Sequence, residues 1–318
     1  MNLDKLFHLK ENHTDVKTEV MAGITTFMTM AYILAVNPSV LGSTGMDTTA
    51  VLLATALASC LGTLCMAFMA NLPFALSAGM GLNAFMAYTV VAGYGYSWQV
   101  ALLAVFIEGL IFIVLSLTNI REAIFNAIPL TLKKGVSVGI GLFIAFIGLQ
   151  NSGLCVDSAT LVGIISFPEN FHTAGICALL TLIGLFFTAV FYTRKMKGAI
   201  LYGILLTWIL GMLCQVTGLY VPTPDAGFYS LFPSWGMTDF SKLGLTFGQC
   251  FNVDFSAVGI VNFIVVIFSF LFVDIFDTLG TLIGVATKAK MLDKDGKLPG
   301  IKPALLADSI ATSAGAIL

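Results

Sequence analysis

The strongest constraint on this chain is a series of apolar windows, each long enough to cross a lipid bilayer. A membrane-spanning helix needs about 20 consecutive apolar residues. Such windows lie near 20–41, 48–70, 72–93, 98–118, 130–153, 173–193, 198–218, 257–283 and 303–318. Only 10% of the residues are charged, whereas a soluble domain carries about 25%. The sequence therefore predicts an all-α polytopic membrane protein.

The distribution of basic residues predicts the orientation of these spans. With the N-terminus inside, 14 of the 15 Lys and Arg residues, Arg121 among them, fall on the inner side, and Lys242 alone falls outside. Such a bias is typical of cytoplasmic loops. We expect a multi-pass protein of the cell membrane with a cytoplasmic N-terminus. A net charge of −2 gives no indication of a nucleic-acid partner.

Four acids lie within or at the edge of the predicted spans: Glu108, Asp274, Asp277 and Asp308. Each costs roughly 2.5–3.5 kcal/mol at the centre of a membrane helix, and such acids usually face a bundle interior or a water-filled cavity. No Lys or Arg lies within the spans to pair with most of them. We therefore expect a polar site inside the bundle.

Asp274 and Asp277 are three residues apart, so they share one face of a helix. Thr278 and Thr281 add hydroxyl groups on the same or the next turn. Two acids in a poorly hydrated site favour retention of a proton or hydrogen bonding to a polar ligand. The alternative is that both acids lie at the wet inner end of the span, near Lys288.

Glu108 has no cation near it in the sequence ALLAVFIEGLIF. It is interpreted as a site acid, a proton relay, or a carboxyl group bound to the backbone of another helix, and the sequence leaves these three open. Asp308 lies close to the inner boundary of its span, where we expect structural hydrogen bonding.

The third predicted span is interrupted by NLPFALSAGMGLN (71–83). Gly79 and Gly81 argue against one regular helix, and irregular backbone at membrane depth is tolerated only beside protein or a cavity. In transporters, a broken span offers the N-terminus of a half-helix to the substrate. We expect Asn83 at that N-terminus. The alternative is a helix cap with a glycine-rich packing face.

The first predicted span carries Thr25, Thr29 and Tyr32 at helical spacing. These side chains are expected to form a polar seam, and helix–helix hydrogen bonding explains them equally well.

Four stretches resemble one transporter family. They are TEVMAGITTFMTMAYILAVNPSVL, ALSAGMGLNAFMAYTVV, AVFIEGLIFIVLSLTNIREAIFNAIP and VDIFDTLGTLIGVATKAKMLDKDGKLPGIKPALLADSIATSAGA. The chain is similar to the adenine/guanine/hypoxanthine permeases, the AzgA-like branch of the nucleobase:cation symporter-2 (xanthine/uracil permease) superfamily.

The resemblance implies fourteen spans in two inverted seven-span repeats, with a third span made of a short strand and a half-helix. Residues 1–218 would then form the first repeat, 219–256 an extracytoplasmic loop, and 257–318 the start of the second repeat, with spans 8 and 9. The tenth span and its acidic residue are expected beyond Leu318. We therefore expect that the 318-residue polypeptide alone does not transport.

The resemblance also implies a substrate site. Asp274 matches the eighth-span acid that binds the purine ring, Asp277 its neighbouring acid, and Asn83 a polar position of the third span; Gly81 and Thr278 are assigned to the same site. The implied activity is proton-coupled uptake of purine nucleobases, with no cofactor besides the coupling proton. The expected partners are a purine and the lipid bilayer, with a homodimer left open.

Two other classes of protein also place acids within membrane helices. A cation channel would also use acids within the membrane. An intramembrane aspartyl protease, which is an enzyme, brings its two aspartates from separate spans, whereas Asp274 and Asp277 share one turn. The sequence therefore favours a carrier that is not an enzyme.

Overall fold

The protein is built almost entirely of helices. The structure is a computed structural model that describes residues 6–12, 14–118, 120–159, 161–224, 227–233, 236, 238–255, 258–294 and 297–318, with residues 122, 125 and 130 described by their backbone alone. The α-helices are α1 Val16–Met30, α2 Ile33–Gly42, α3 Thr48–Cys65, α4 Met80–Ala84, α5 Trp98–Leu117, α6 Ile120–Ala127, α7 Leu130–Asn151, α8 Phe167–Asn170, α9 Ile176–Thr193, α10 Ala199–Val216, α11 Ile260–Lys288 and α12 Ile301–Ile317.

Within the described residues, seven helical segments are long and apolar enough to cross a membrane. They are Val16–Gly42, Thr48–Ala70, Trp98–Leu117, Thr131–Asn151, Phe167–Thr193, Ala199–Val216 and Ile260–Lys288. Two predicted spans correspond to shorter helices, Met80–Gly93 and α12. The polytopic helical class is confirmed, whereas the count of nine spans and the two inverted repeats stay predictions.

The third predicted span is broken as the sequence indicates. Residues 71–79 form neither helix nor strand, and the helix begins at Met80 and continues as a π-helix to Gly93; we call residues 80–93 the half-helix. The expected short strand does not form. A strand needs a neighbouring strand for its backbone groups, whereas here the N–H and C=O of Leu76 bond to the hydroxyl of Thr63, at 3.1 and 3.2 Å.

The described residues divide into two compact units, and the first comprises residues 1–23, 32–141 and 238–318. In it α5 packs against α11 and α12, and α3 packs against α12. Phe270 is fully buried, and its ring meets Phe85 edge-on at 5.0 Å between centroids. On the outer face of α11, Phe268 and Phe272 remain exposed, as expected of side chains that meet lipid.

Asp47 is the N-cap of α3 and forms an ion pair with Lys242 of the predicted outer loop. Its carboxylate accepts hydrogen bonds from the N–H groups of Thr49 and Ala50, at 2.9 and 3.0 Å, and contacts Lys242 Nζ at 3.0 Å. The hydrogen bond from Ala50 and the Lys242 ammonium group hold the pKa of Asp47 below its usual value. Lys242, the one basic residue predicted to lie outside, therefore connects the predicted loop to the N-terminus of α3 through an ion pair.

The second unit comprises residues 24–31 and 142–237. Its helices α9 and α10 pack closely, because Gly184 faces Thr207 and Gly203 faces Thr188. Small residues at such positions let membrane helices approach each other. An antiparallel hairpin of β1 Cys155–Ser158 and β2 Leu161–Ile164 joins the end of α7 to α8, and the sequence did not predict it.

The segment predicted as a loop, 219–256, contains no span-length helix in its described part, and its residues 225–226, 234–235, 237 and 256 lie outside the described residues. Two short 3₁₀ helices, Phe240–Leu245 and Gln249–Phe251, lie near its end.

Candidate functional site

The short helix α6 places Arg121 inside the first unit, where only 4% of the side chain is exposed. One guanidinium nitrogen, Nη1, donates to the carbonyl oxygen of Leu305 at 2.9 Å and to Ser309 Oγ at 2.7 Å. The guanidinium carbon lies 3.9 Å from the centroid of the Phe112 ring. Because α6 packs against both α5 and α12, the guanidinium group reaches into the bundle although the sequence assigns Arg121 to an inner connection.

The second guanidinium nitrogen, Nη2, connects the two helices that carry the acids. It lies 2.9 Å from Asp308 Oδ2 on α12 and 3.4 Å from Asp274 Oδ2 on α11. It also lies 3.3 Å from Thr278 Oγ1. The sequence has no Lys or Arg within the spans to pair with most of these acids. The structure supplies Arg121 from outside the spans, because α6 folds back onto α5 and α12.

Thr278 completes the connection between the two acids. Its hydroxyl oxygen lies 3.1 Å from Asp274 Oδ1 and 3.1 Å from Asp308 Oδ2. A hydroxyl group has one hydrogen to donate, so the two carboxylates share this donor. Asp308, for which structural hydrogen bonding is expected, is thus connected to Asp274 through Thr278 and Arg121. We call this set the arginine cluster: Glu108, Arg121, Asp274, Thr278, Asp308 and Ser309.

Glu108 is the unusual member of the arginine cluster. It lies on α5 with 0% of its side chain exposed, and neither of its carboxyl oxygens meets a hydrogen-bond donor in the described part of the chain. The interpretation that it binds another helix's backbone is therefore not supported. The neighbouring acceptor is the carboxyl group of Asp274. Two carboxyl groups form a hydrogen bond only when one of them carries a proton.

Asp277 lies one helical turn from Asp274 but in different surroundings. It is partly exposed, and its carboxylate points toward the start of the half-helix. A Cβ atom added to Gly79 would lie 2.6 Å from Asp277 Oδ2, and one added to Gly81 would lie 3.8 Å from Oδ1. Gly79 thus allows the closest approach of this carboxylate to the helix N-terminus, where free N–H groups favour negative charge.

Asn83 lies in the first turn of the half-helix and belongs to a chain of hydrogen bonds. Its side-chain nitrogen donates to Asn37 Oδ1, and the nitrogen of Asn37 donates to Thr55 Oγ1 at 2.7 Å. The hydroxyl of Thr55 in turn donates to the carbonyl oxygen of Val51 at 2.6 Å. Since the Thr55 hydrogen is used on Val51, the direction of the chain is fixed, and Asn83 keeps its carbonyl oxygen for another partner.

The remaining threonines are placed differently from the acids. The hydroxyl of Thr281 donates to the carbonyl oxygen of Asp277 at 2.9 Å, within α11. Thr29 donates to the carbonyl oxygen of Thr26 at 2.7 Å, within α1. Thr25 and Thr29 belong to the second unit, and the polar seam they were expected to form stays a prediction.

The first unit thus brings together the acids Glu108, Asp274 and Asp308, and it brings Asp277, Gly79 and Gly81 together beside them. These carboxyl groups can exchange protons and can accept hydrogen bonds from a ligand. Among the described residues, no group of three or more His, Cys, Asp or Glu side chains is arranged to hold a metal ion.

The chain is similar to known proteins along almost its whole length. The model of a family described as the permease family matches residues 17–318. The guanine/hypoxanthine permease PbuG of Bacillus subtilis is 44% identical over 98% of this chain and 68% of its own length. PbuO, a guanine/hypoxanthine permease of the same organism, is 43% identical over 98% of this chain and 68% of its own length. The adenine permease AdeP of Escherichia coli is 38% identical over 99% of this chain and 66% of its own length. The chain therefore spans about two thirds of the length of these relatives.

Proposed function

Because the chain belongs to the permease family, we propose that it acts in a secondary active transporter that takes purine nucleobases into the cell. It is an integral membrane protein and not an enzyme, so the alternative of an intramembrane protease falls away. The substrate class is supported by the names of the relatives, which specify guanine, hypoxanthine and adenine.

The observation that carries the proposal is the approach of the Asp277 carboxylate to Gly79 and Gly81 of the broken span. We assign the ligand-facing acid to Asp277 and the charge-balancing acid to Asp274, whereas the family resemblance assigned the purine-binding acid to Asp274 and made Asp277 its neighbour. Asp274 is 4% exposed and held by Arg121 and Thr278. Asp277 is partly exposed and therefore better able to contact a ligand.

The Asn83 carbonyl oxygen and the Asp277 carboxylate are both hydrogen-bond acceptors, so the ligand is expected to present donors. A free nucleobase has ring N–H groups, and guanine and adenine add exocyclic amino groups. A nucleoside lacks the N–H that its sugar replaces. A buried polar group left without its partner costs about 1–3 kcal/mol. We therefore expect selection of free bases over nucleosides.

The coupling ion, orientation and assembly are further parts of the proposal. The buried carboxyl group of Glu108, next to Asp274, supports a proton as the coupling ion. The bias of basic residues supports a cytoplasmic N-terminus in the cell membrane. Thr278 contributes to the site through Asp274. The homodimer stays a prediction without structural support.

Radiolabelled hypoxanthine uptake tests the proposed function. The complete gene product is expressed in cells that lack purine permeases, and guanine, adenine, uracil, inosine and guanosine are added as competitors. We expect saturable uptake that a protonophore abolishes and that purine bases inhibit far more strongly than uracil or the nucleosides. Uptake that is no greater than in vector-only cells for all three purines would overturn the proposal. Purine-independent single-channel currents would favour the cation channel instead.

Gly79→Ala tests the contact at the broken span. Gly79 has φ −76° and ψ 119°, which alanine adopts without strain. The added Cβ would nevertheless meet Asp277 Oδ2 at 2.6 Å, so the carboxylate must move. We expect the apparent affinity for hypoxanthine to fall by about tenfold or more, the loss of one charged hydrogen bond, with normal amounts of protein in the membrane.

Gly135→Ala on α7 is the matched control for Gly79→Ala. A Cβ atom added to Gly135 meets no atom within 4 Å, so hypoxanthine uptake is expected to match the wild type. Equal affinity in the two variants would contradict a ligand-binding role for this end of the half-helix.

A further inference from the structure

We propose that Glu108 carries the coupling proton, as one half of a carboxyl pair with Asp274, and that Arg121 fixes the proton on Glu108 by binding the other acids. The inference rests on the proposed function, which requires only that some group couples purine flux to protons. It assigns the coupling group to Glu108, which lies on α5 among α6, α11 and α12.

The first argument is the difference in partners among the three acids of the arginine cluster. Asp274 and Asp308 each contact Nη2 of Arg121, and both lie within 3.1 Å of the Thr278 hydroxyl. Glu108 is more deeply buried, and neither of its oxygens meets a donor among the residues that the structure describes. An isolated ionised carboxylate is very costly to bury. A proton on Glu108 removes that cost and supplies the one donor that the Glu108–Asp274 contact requires.

The second argument is the balance of charge around Glu108. The charged groups that act on it are Asp274 from α11, Asp308 from α12 and Arg121 from α6. One guanidinium cation faces three acids, so a proton on one of them leaves a single net negative charge. The other two elements packed on α5 each bring one titratable side chain, Tyr88 of Phe85–Gly93 and Cys250 of Gln249–Phe251. Both are neutral when protonated and do not alter this balance.

The third argument is the connection to the ligand-facing acid. Asp277 lies one turn along α11 from Asp274, and its charge acts on the Asp274 carboxyl group. A purine that donates hydrogen bonds to Asp277 changes the charge density beside Asp274 and, through it, the tendency of Glu108 to hold its proton. The substrate thus acts on Asp277 and the proton on the Glu108–Asp274 pair, and the two aspartates belong to the same turn of α11.

The proposed step breaks and forms only bonds to hydrogen. A hydronium ion on one side of the membrane gives a proton to a carboxyl oxygen of Glu108 and becomes water. When the site opens to the other side, the same O–H bond breaks and water there accepts the proton to form hydronium. No other bond changes, and the side chain returns to its starting state.

Glu108→Gln separates coupling from transport. Glutamine keeps the size of the side chain and its ability to donate to Asp274 but releases no proton. The complete gene product is reconstituted into liposomes that contain a pH indicator. We expect hypoxanthine exchange across the membrane to continue at a rate comparable to the wild type. We expect hypoxanthine-induced proton uptake to fall to the background of protein-free liposomes, and accumulation driven by a pH gradient to disappear.

Glu169→Gln is the control, because Glu169 is an exposed acid of the second unit and its substitution should leave exchange and proton uptake unchanged. Retained hypoxanthine-induced proton uptake in Glu108→Gln would overturn the inference. If Glu108→Gln loses exchange, Glu108→Asp decides: restored proton-coupled uptake supports the inference, and its absence overturns it. Failure of the wild type to move hypoxanthine would instead refute the proposed function.

Discussion

Replacement of Arg121 by alanine is expected to abolish purine uptake and to destabilise the complete gene product strongly. The substitution removes the cation from the buried Asp274 and from the partly buried Asp308. Removal of one partner of a buried ion pair typically costs about 3–5 kcal/mol. It also removes the hydrogen bonds from Arg121 to Leu305 and Ser309 of α12. Thermal unfolding of the purified protein in detergent, together with radiolabelled uptake, measures both effects.

Two further variants show whether the loss is specific to the arginine cluster. Arg194→Ala removes an exposed guanidinium group in the second unit, and we expect wild-type stability and uptake. Arg121→Lys keeps the positive charge but not the planar fork that bonds α11 and α12 together, so an intermediate stability is expected. A wild-type melting temperature in Arg121→Ala would contradict the central position of this residue.

The position of Arg121 inside the bundle could not be predicted from the sequence. Hydrophobic windows and the bias of basic residues are local or averaged properties, and they predicted the helical membrane class well. The partners of Arg121 are 153 to 188 positions away along the chain. Nothing in the sequence around it indicates that α6 turns back onto α5 and α12, and the positive-inside pattern assigned it to a loop. A polar pair separated by that distance is a product of tertiary packing.

The broken span was also predicted only in part from the sequence. Gly79 and Gly81 predicted the interruption because glycine disfavours a continuous helix, and the structure has the helix begin at Met80. The sequence could not predict which acid faces the interruption. Asp274 and Asp277 share one helical face by spacing alone, and a difference of about 60° around the helix axis sends one toward Arg121 and the other toward Gly79. Packing decides between them.

Asn substitutions of these two acids give the sharpest test of the roles assigned to them. Asp277→Asn replaces the carboxylate beside Gly79 with a neutral amide. We expect hypoxanthine binding to weaken by about 1.5–3 kcal/mol, roughly 10- to 150-fold, because a charged hydrogen bond to the ligand becomes a neutral one at best. Equilibrium binding to the purified complete gene product, by isothermal titration calorimetry, measures this loss directly and independently of proton coupling.

Asp274→Asn is expected to behave in the opposite way. Its amide keeps the shape of the side chain, and Arg121 still has Asp308 as its ion-pair partner at 2.9 Å, so hypoxanthine binding should remain close to that of the wild type. Uptake against a gradient should nevertheless be lost, because Glu108 loses the carboxylate with which it forms its pair. If Asp274→Asn abolishes binding while Asp277→Asn does not, the ligand-facing acid is Asp274. The arginine cluster would then have to open for the purine to enter, since only 4% of Asp274 is exposed in the present arrangement.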